Sequence, residues 1–151
     1  MRAQHLRNIM STLPHATVKP LNYQTSAQGL AEPFMADVEE VFSALDKIAD
    51  NEKLYRPGDP KPSPENINWA KRVLLRVLPS YYLRGAEIEP LGGEIHATWE
   101  GSDKRVVAYF PRPDAVKVYY EQIVDGNVAY HDLKNVTPAG LSGILAWFFK
   151  K

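Results

Sequence analysis

The feature that most constrains this chain is a change of hydrophobic period near Tyr81. Before it, apolar residues recur at three- and four-residue steps. Beyond it they alternate with polar residues one by one. An α-helix brings every third or fourth side chain to one face, whereas a strand sends successive side chains to opposite faces. The chain must therefore join helices to a sheet.

The helical part opens with Phe34–Asp50, where Phe34, Val38, Val41, Phe42, Leu45, Ile48 and Ala49 form one stripe. Pro33 suits the first helical turn, where its missing N–H costs nothing. Asp37, Glu39, Glu40 and Asp46 take the other side. Asn51–Pro62 is a linker, because Pro57, Gly58, Pro60 and Pro62 forbid a regular ladder or helix. Ser63-Pro64-Glu65 is an N-cap, a first-turn proline and an acid matched to the positive helix end. That helix is expected to continue through Ile67, Ala70, Val73, Leu74, Val77 and Leu78 until Pro79 stops it. Thr137-Pro138 repeats the capping device for a terminal helix with Leu141, Ile144, Leu145 and Phe148 as its stripe, widened by Trp147 and Phe149. Lys150 and Lys151 suit its negative end.

Between the last two helices the alternation predicts strands. Ile95, Ala97 and Trp99 alternate with Glu94, His96, Thr98 and Glu100. A short strand over Ala86–Pro90 precedes them across Leu91-Gly92-Gly93. Gly101–Lys104 turns into Arg105–Phe110, and Pro111 and Pro113 connect to Ala115–Val124. Asp125-Gly126 is a strong hairpin signal leading to a last strand near Asn127–Asp132. The fold expected is α+β: an antiparallel meander of four or five strands, packed on one face by two or three amphipathic helices. Residues 34–151 form this single domain. Residues 1–33 show no sustained period and are taken as an N-terminal arm, carrying at most a short helix around Ala3–Met10.

Composition excludes several classes. There is no cysteine among the 151 residues, so disulfides, thiolate metal sites and cysteine nucleophiles are ruled out. Lys plus Arg and Asp plus Glu number 18 each, so no global field favours nucleic acid or an anionic membrane. No apolar run approaches the ~20 residues of a membrane helix. Arg2, His5, Arg7 and Asn8 interrupt any secretory-signal core. A cytoplasmic location without membrane contact is expected. Residues 1–31 contain Arg2, Arg7 and Lys19 but no acid, a composition like that of an organellar transit peptide. We take this stretch as a polar arm, with Met10 as the alternative start.

The sharpest candidate site is on the sheet. Val106, Ala108 and Phe110 share one face, with Val116, Val118 and Tyr120 as their partners. The other face presents Arg105, Tyr109, Lys117 and Tyr119, and aromatics beside bases can stack single-stranded nucleic acid. Glu94, Glu100 and Glu121 fall on the same face and repel phosphates. A second candidate is the stripe Lys71, Arg72 and Arg76, joined by Arg84, with no acid between Glu65 and Glu87. It can serve an acidic partner or phosphates, or simply pair with the acidic side of the first helix, which is the favoured reading. His96 and His131 are expected on one sheet face near glutamates, yet no ligand spacing marks a metal site. Ser63, Ser102 and Ser142 lack a nucleophile-elbow context, and Gly92-Gly93 joins two strands rather than cradling a phosphate. No cofactor is expected.

The segment Pro62–Phe149 resembles a scattered group of small bacterial proteins of unknown function. The likeness rests on Ser63-Pro64-Glu65 with Trp69-Ala70, on Ile88-Glu89-Pro90 followed by Gly92-Gly93-Glu94-Ile95 and Trp99, on Val116–Tyr120, and on the Leu/Trp/Phe-rich terminal helix. It implies a helix, meander, helix order and no activity. The leading expectation is a non-enzymatic module of a bacterial accessory or mobile-element system. Its partner is another protein or a second copy. Nucleic-acid binding through the sheet is the alternative, and a small enzyme without metal comes third.

Overall fold

The computed structural model describes residues 37–151. The arm expected over residues 1–33 lies outside them. Helix α1 runs through residues 37–50, and a 3₁₀ turn at Glu52–Leu54 opens the proline-rich connection. Helix α2 spans Pro64–Leu75, with Ser63 as the N-cap accepting from the Asn66 N–H. Strands β1 (Glu87–Leu91), β2 (Glu94–Glu100), β3 (Lys104–Phe110), β4 (Lys117–Val124) and β5 (Asn127–Leu133) precede helix α3, Pro138–Phe149. Thr137 caps α3 by accepting from the Gly140 N–H. The five strands lie in sequence order, each antiparallel to the next. Among the described residues no helix is long and apolar enough to cross a membrane.

Local chemistry explains the meander. Leu91 pairs with Glu94 across Gly92-Gly93, and Val124 pairs with Asn127 across Asp125-Gly126. All four turn residues have positive φ, 60° and 83° in the first turn and 51° and 77° in the second. This is the geometry whose twist matches two antiparallel strands, and glycine adopts it without a Cβ penalty. The turns fix the register, and the register fixes which side chains face the helices. Ile95, Ala97, Trp99, Val106, Ala108, Phe110, Val118 and Tyr120 all face inward and are buried. They join Leu45, Ile67, Leu74, Leu141, Ile144 and Leu145 from the helices in one core.

Polar side chains bolt the layers together. The buried Asn66 amide donates to the Phe110 carbonyl at 2.8 Å, and the Trp69 indole N–H donates to the Ala115 carbonyl at 3.1 Å. Trp99 donates to the Tyr82 carbonyl at 2.8 Å. Buried N–H and C=O groups satisfied this way avoid a desolvation cost of about 1–3 kcal/mol each. Lys104 leaves β3 on the helix side and donates to the Trp147 and Lys150 carbonyls at 2.8 and 3.0 Å, with its ammonium 4.8 Å from the Trp147 ring centroid. A cation at a helix C-terminus is favourable. Lys104→Met should therefore lower unfolding free energy by about 1–2 kcal/mol in urea titrations, and an unchanged midpoint would remove this clasp from the account.

One expectation about the helices needs correction. Helix α2 stops at Leu75, not before Pro79, and Arg76 closes it with its N–H on the Val73 and Leu74 carbonyls. Val77 remains buried, but Leu78 lies outside the helix and is 52% exposed. The residue preceding a proline avoids the α region, and the Leu78 N–H bonds the Ser142 hydroxyl instead of a carbonyl of its own helix. A 3₁₀ turn at Ser80–Leu83, which the periodicity did not predict, then carries Tyr82 and Leu83 into the core.

Candidate functional site

The helices pack on one face of the sheet, and the register assigns the other face residue by residue. Arg105, Tyr109, Lys117 and Tyr119 do share that outer face. Tyr109 stands opposite Lys117, and Tyr119 stands opposite Val107, so the two tyrosines are diagonal neighbours rather than a direct pair. Each ring takes a different companion. Tyr109 meets His96 edge-on at 4.5 Å, and Tyr119 stacks on Tyr130 at 5.9 Å. Thr98 and Val107 are buried at the centre of the face.

Charge on this face is unbalanced. Glu87, Glu89, Glu94, Glu100, Glu121 and Asp132 point outward, against Arg105 and Lys117. Arg105 is already paired with Glu100 at 2.9 Å and stands opposite Glu121. Desolvation and the neighbouring Glu121 hold the Tyr119 hydroxyl above its ordinary range, with Arg105 pulling the other way. The field around the tyrosines is thus one that anions avoid. At the β4–β5 end the face turns apolar. Ile123 pairs with Val128, both half exposed, beside Tyr130.

The two histidines do not share a face. His96 lies on the outer face, 3.4 Å from Glu94. His131 pairs with Tyr120 and stacks on its ring at 4.8 Å on the helix side. The expectation of one histidine face fails because the two-residue Asp125-Gly126 turn pairs Val124 with Asn127, which aligns Tyr120 with His131. Among the described residues no three His, Asp or Glu side chains come together as a metal site.

The basic stripe divides. Lys71 is ion-paired with Asp46 of α1, and its ammonium lies 5.5 Å from the Phe42 ring centroid. Arg84 reaches both carboxylate oxygens of Asp37 at 3.1 Å, and Asp37 is buried. Pairing with the acidic side of α1 accounts for these two. Arg72 and Arg76 remain exposed, Arg72 with its guanidinium 5.6 Å from the Trp69 ring centroid. Beside them runs a groove of about 600 Å³ lined by Phe42, Glu65, Asn68, Lys71, Arg72, Leu75 and Pro113. Sequence reasoning missed it, because Leu75 lies off the apolar stripe and Pro113 is far away in the chain. The exposed leucine one turn beyond Arg72 was the available signal.

No protein-family model matches the chain, and neither a curated protein nor a solved structure matches it.

Proposed function

We propose that this domain is a non-enzymatic protein-binding module that works through the outer face of its sheet. The bacterial setting, an accessory or mobile-element system, follows from the resemblance of Pro62–Phe149 to small bacterial proteins. The observation that carries the reading is the apolar end of the outer face. There Ile123 and Val128 are 50% and 55% exposed, next to the Tyr119–Tyr130 stack, on a face where six carboxylates meet two cations. Tyrosines and aliphatics in a patch rimmed by charge are the composition of protein interfaces, where aromatic anchors dominate the binding energy. A strand of phosphates would meet repulsion from Glu100 and Glu121 on either side of Arg105.

Two measurements test this. A labelled single-stranded oligonucleotide should bind more weakly than about 10 µM at ~0.15 M salt. A sub-micromolar, salt-steep complex abolished by Tyr109→Ala or Tyr119→Ala would replace the protein reading with the nucleic-acid one. A photo-crosslinking residue at position 128 should give one discrete protein adduct in the cells that make the chain, lost when Ile123 becomes Lys. Absence of any adduct would also overturn the reading.

A further inference from the structure

Helical spacing places Asn68 four residues before Arg72 and Leu75 three after it on one side of α2, and the C-cap Arg76, four after Arg72, continues that side. That side faces away from the core. Leu75 is 54% exposed, and Leu78, three residues on, is 52% exposed. The groove beside Leu75 has an apolar floor of Phe42, Leu75 and Pro113. Its polar groups are not equivalent. Lys71 is committed to Asp46, with its ammonium 5.5 Å from the Phe42 ring centroid, whereas Arg72 and Arg76 are exposed, Arg72 beside Trp69. Within the groove's lining Glu65 sits seven residues from Arg72, about 10 Å along the axis at 1.5 Å per residue, and Arg76 lies one turn beyond Arg72. The groove is therefore acidic toward the start of α2, and both cationic and apolar toward its end, where Leu75 lies between Arg72 and Arg76.

We propose that this side of α2 is a second docking surface, which takes an acidic amphipathic segment of a partner protein. The match is one of charge and polarity. Carboxylates of the segment meet Arg72 and Arg76, where planar guanidinium forks favour paired oxygens. An apolar side chain of the segment covers Phe42, Leu75 and Pro113. Glu65 sets the direction, because the segment's acidic part is repelled from that end. A phosphate backbone fits poorly, since it leaves three apolar side chains uncovered. The proposal does not depend on the outer sheet face, which lies across the sheet from the helices.

The test uses the full chain, ¹⁵N-labelled, with four probes. The first is a short synthetic peptide with leucines at three- and four-residue spacing separated by aspartates and glutamates. The others are the same peptide with lysines for the acids, a short oligothymidylate, and phosphatidylglycerol vesicles. The acidic peptide should shift amides within residues 65–78, leave Ile123 and Val128 unmoved, and bind less tightly as salt rises. Arg72→Glu with Arg76→Glu should weaken it at least tenfold, and Leu75→Ala severalfold, with melting temperatures unchanged because these side chains are exposed. If the charge reversals disturb folding, Arg72→Gln with Arg76→Gln should still weaken it. No shift at millimolar peptide, shifts centred elsewhere, indifference to the arginine variants, or tighter binding of the lysine peptide, the oligothymidylate or the vesicles would overturn the proposal.

Discussion

Replacing Trp99 by Ala should lower the unfolding free energy by about 3–5 kcal/mol. Trp99 is 1% exposed near the end of β2, opposite Val106, and faces the helix layer. Its indole N–H is the donor for the Tyr82 carbonyl. Truncation would open a cavity between sheet and helices and leave that carbonyl without its bond. Both terms add, because the sheet cannot collapse inward there without breaking the β2–β3 register. Trp99→Phe should cost less, since it keeps most of the volume and loses the donor. Val128→Ala, on the exposed outer face, should stay within about 0.5 kcal/mol. Urea midpoints of the three variants check the order. A Trp99→Ala chain as stable as the parent would mean the sheet does not pack as described.

Raising the pH from about 10 to 12 should destabilise the fold more than surface titration alone would. Burial pushes the Tyr82 hydroxyl up to about 12, with Tyr81 adding to the effect, and burial pushes Tyr120 up to about 12. Tyr82 stacks on Phe149, and Tyr120 lies between His131 and Trp147. Below the ordinary tyrosine value near 10 both hydroxyls are protonated in folded and unfolded chains alike, and this contribution is fully present. Above it the unfolded chain sheds the protons while the folded chain holds them, so stability falls until the folded values are passed. Two units correspond to roughly 2–3 kcal/mol per tyrosine. Tyr82→Phe and Tyr120→Phe should each flatten the decline of melting temperature over this window. Identical slopes in parent and variants would show that the hydroxyls titrate normally in the folded state.

Most of the scaffold was legible because its signals are local. Ser63 and Thr137 cap the helices that follow them, and both two-residue turns carry glycine where positive φ is required. Alternation from Ile95 to Tyr120 sorted the two sheet faces, so Arg105, Tyr109, Lys117 and Tyr119 fall together. The failures are of two kinds. The face of His131 follows from counting through the Asp125-Gly126 turn, so the information was present and the parity was misjudged. The end of α2 was not readable in that way, because Val77 and Leu78 continue a helical stripe. Beyond Arg76 the Leu78 N–H goes to the Ser142 hydroxyl, sixty-four residues later, rather than to a carbonyl of its own helix. The Asp37–Arg84 pair and the groove at Leu75 likewise depend on which helix meets which loop, and periodicity carries no such information.

The sequential order of the strands has a kinetic consequence. Every strand pairs with its chain neighbour, so the whole sheet can zip up through short loop closures. The ties that the helices make to the rest of the fold are different: Asn66 to Phe110 of β3 spans 44 residues, Trp69 to Ala115 before β4 spans 46, and Asp37 of α1 to Arg84 after the 3₁₀ turn spans 47. Loop closures of that length come late if hairpins form first. Damage to a hairpin turn should then appear as slower refolding, while damage to a long-range tie should appear as faster unfolding. On that ordering, the lifetime of the native state is governed by the clasp of the helices, and its birth by the glycine-bearing turns of the meander.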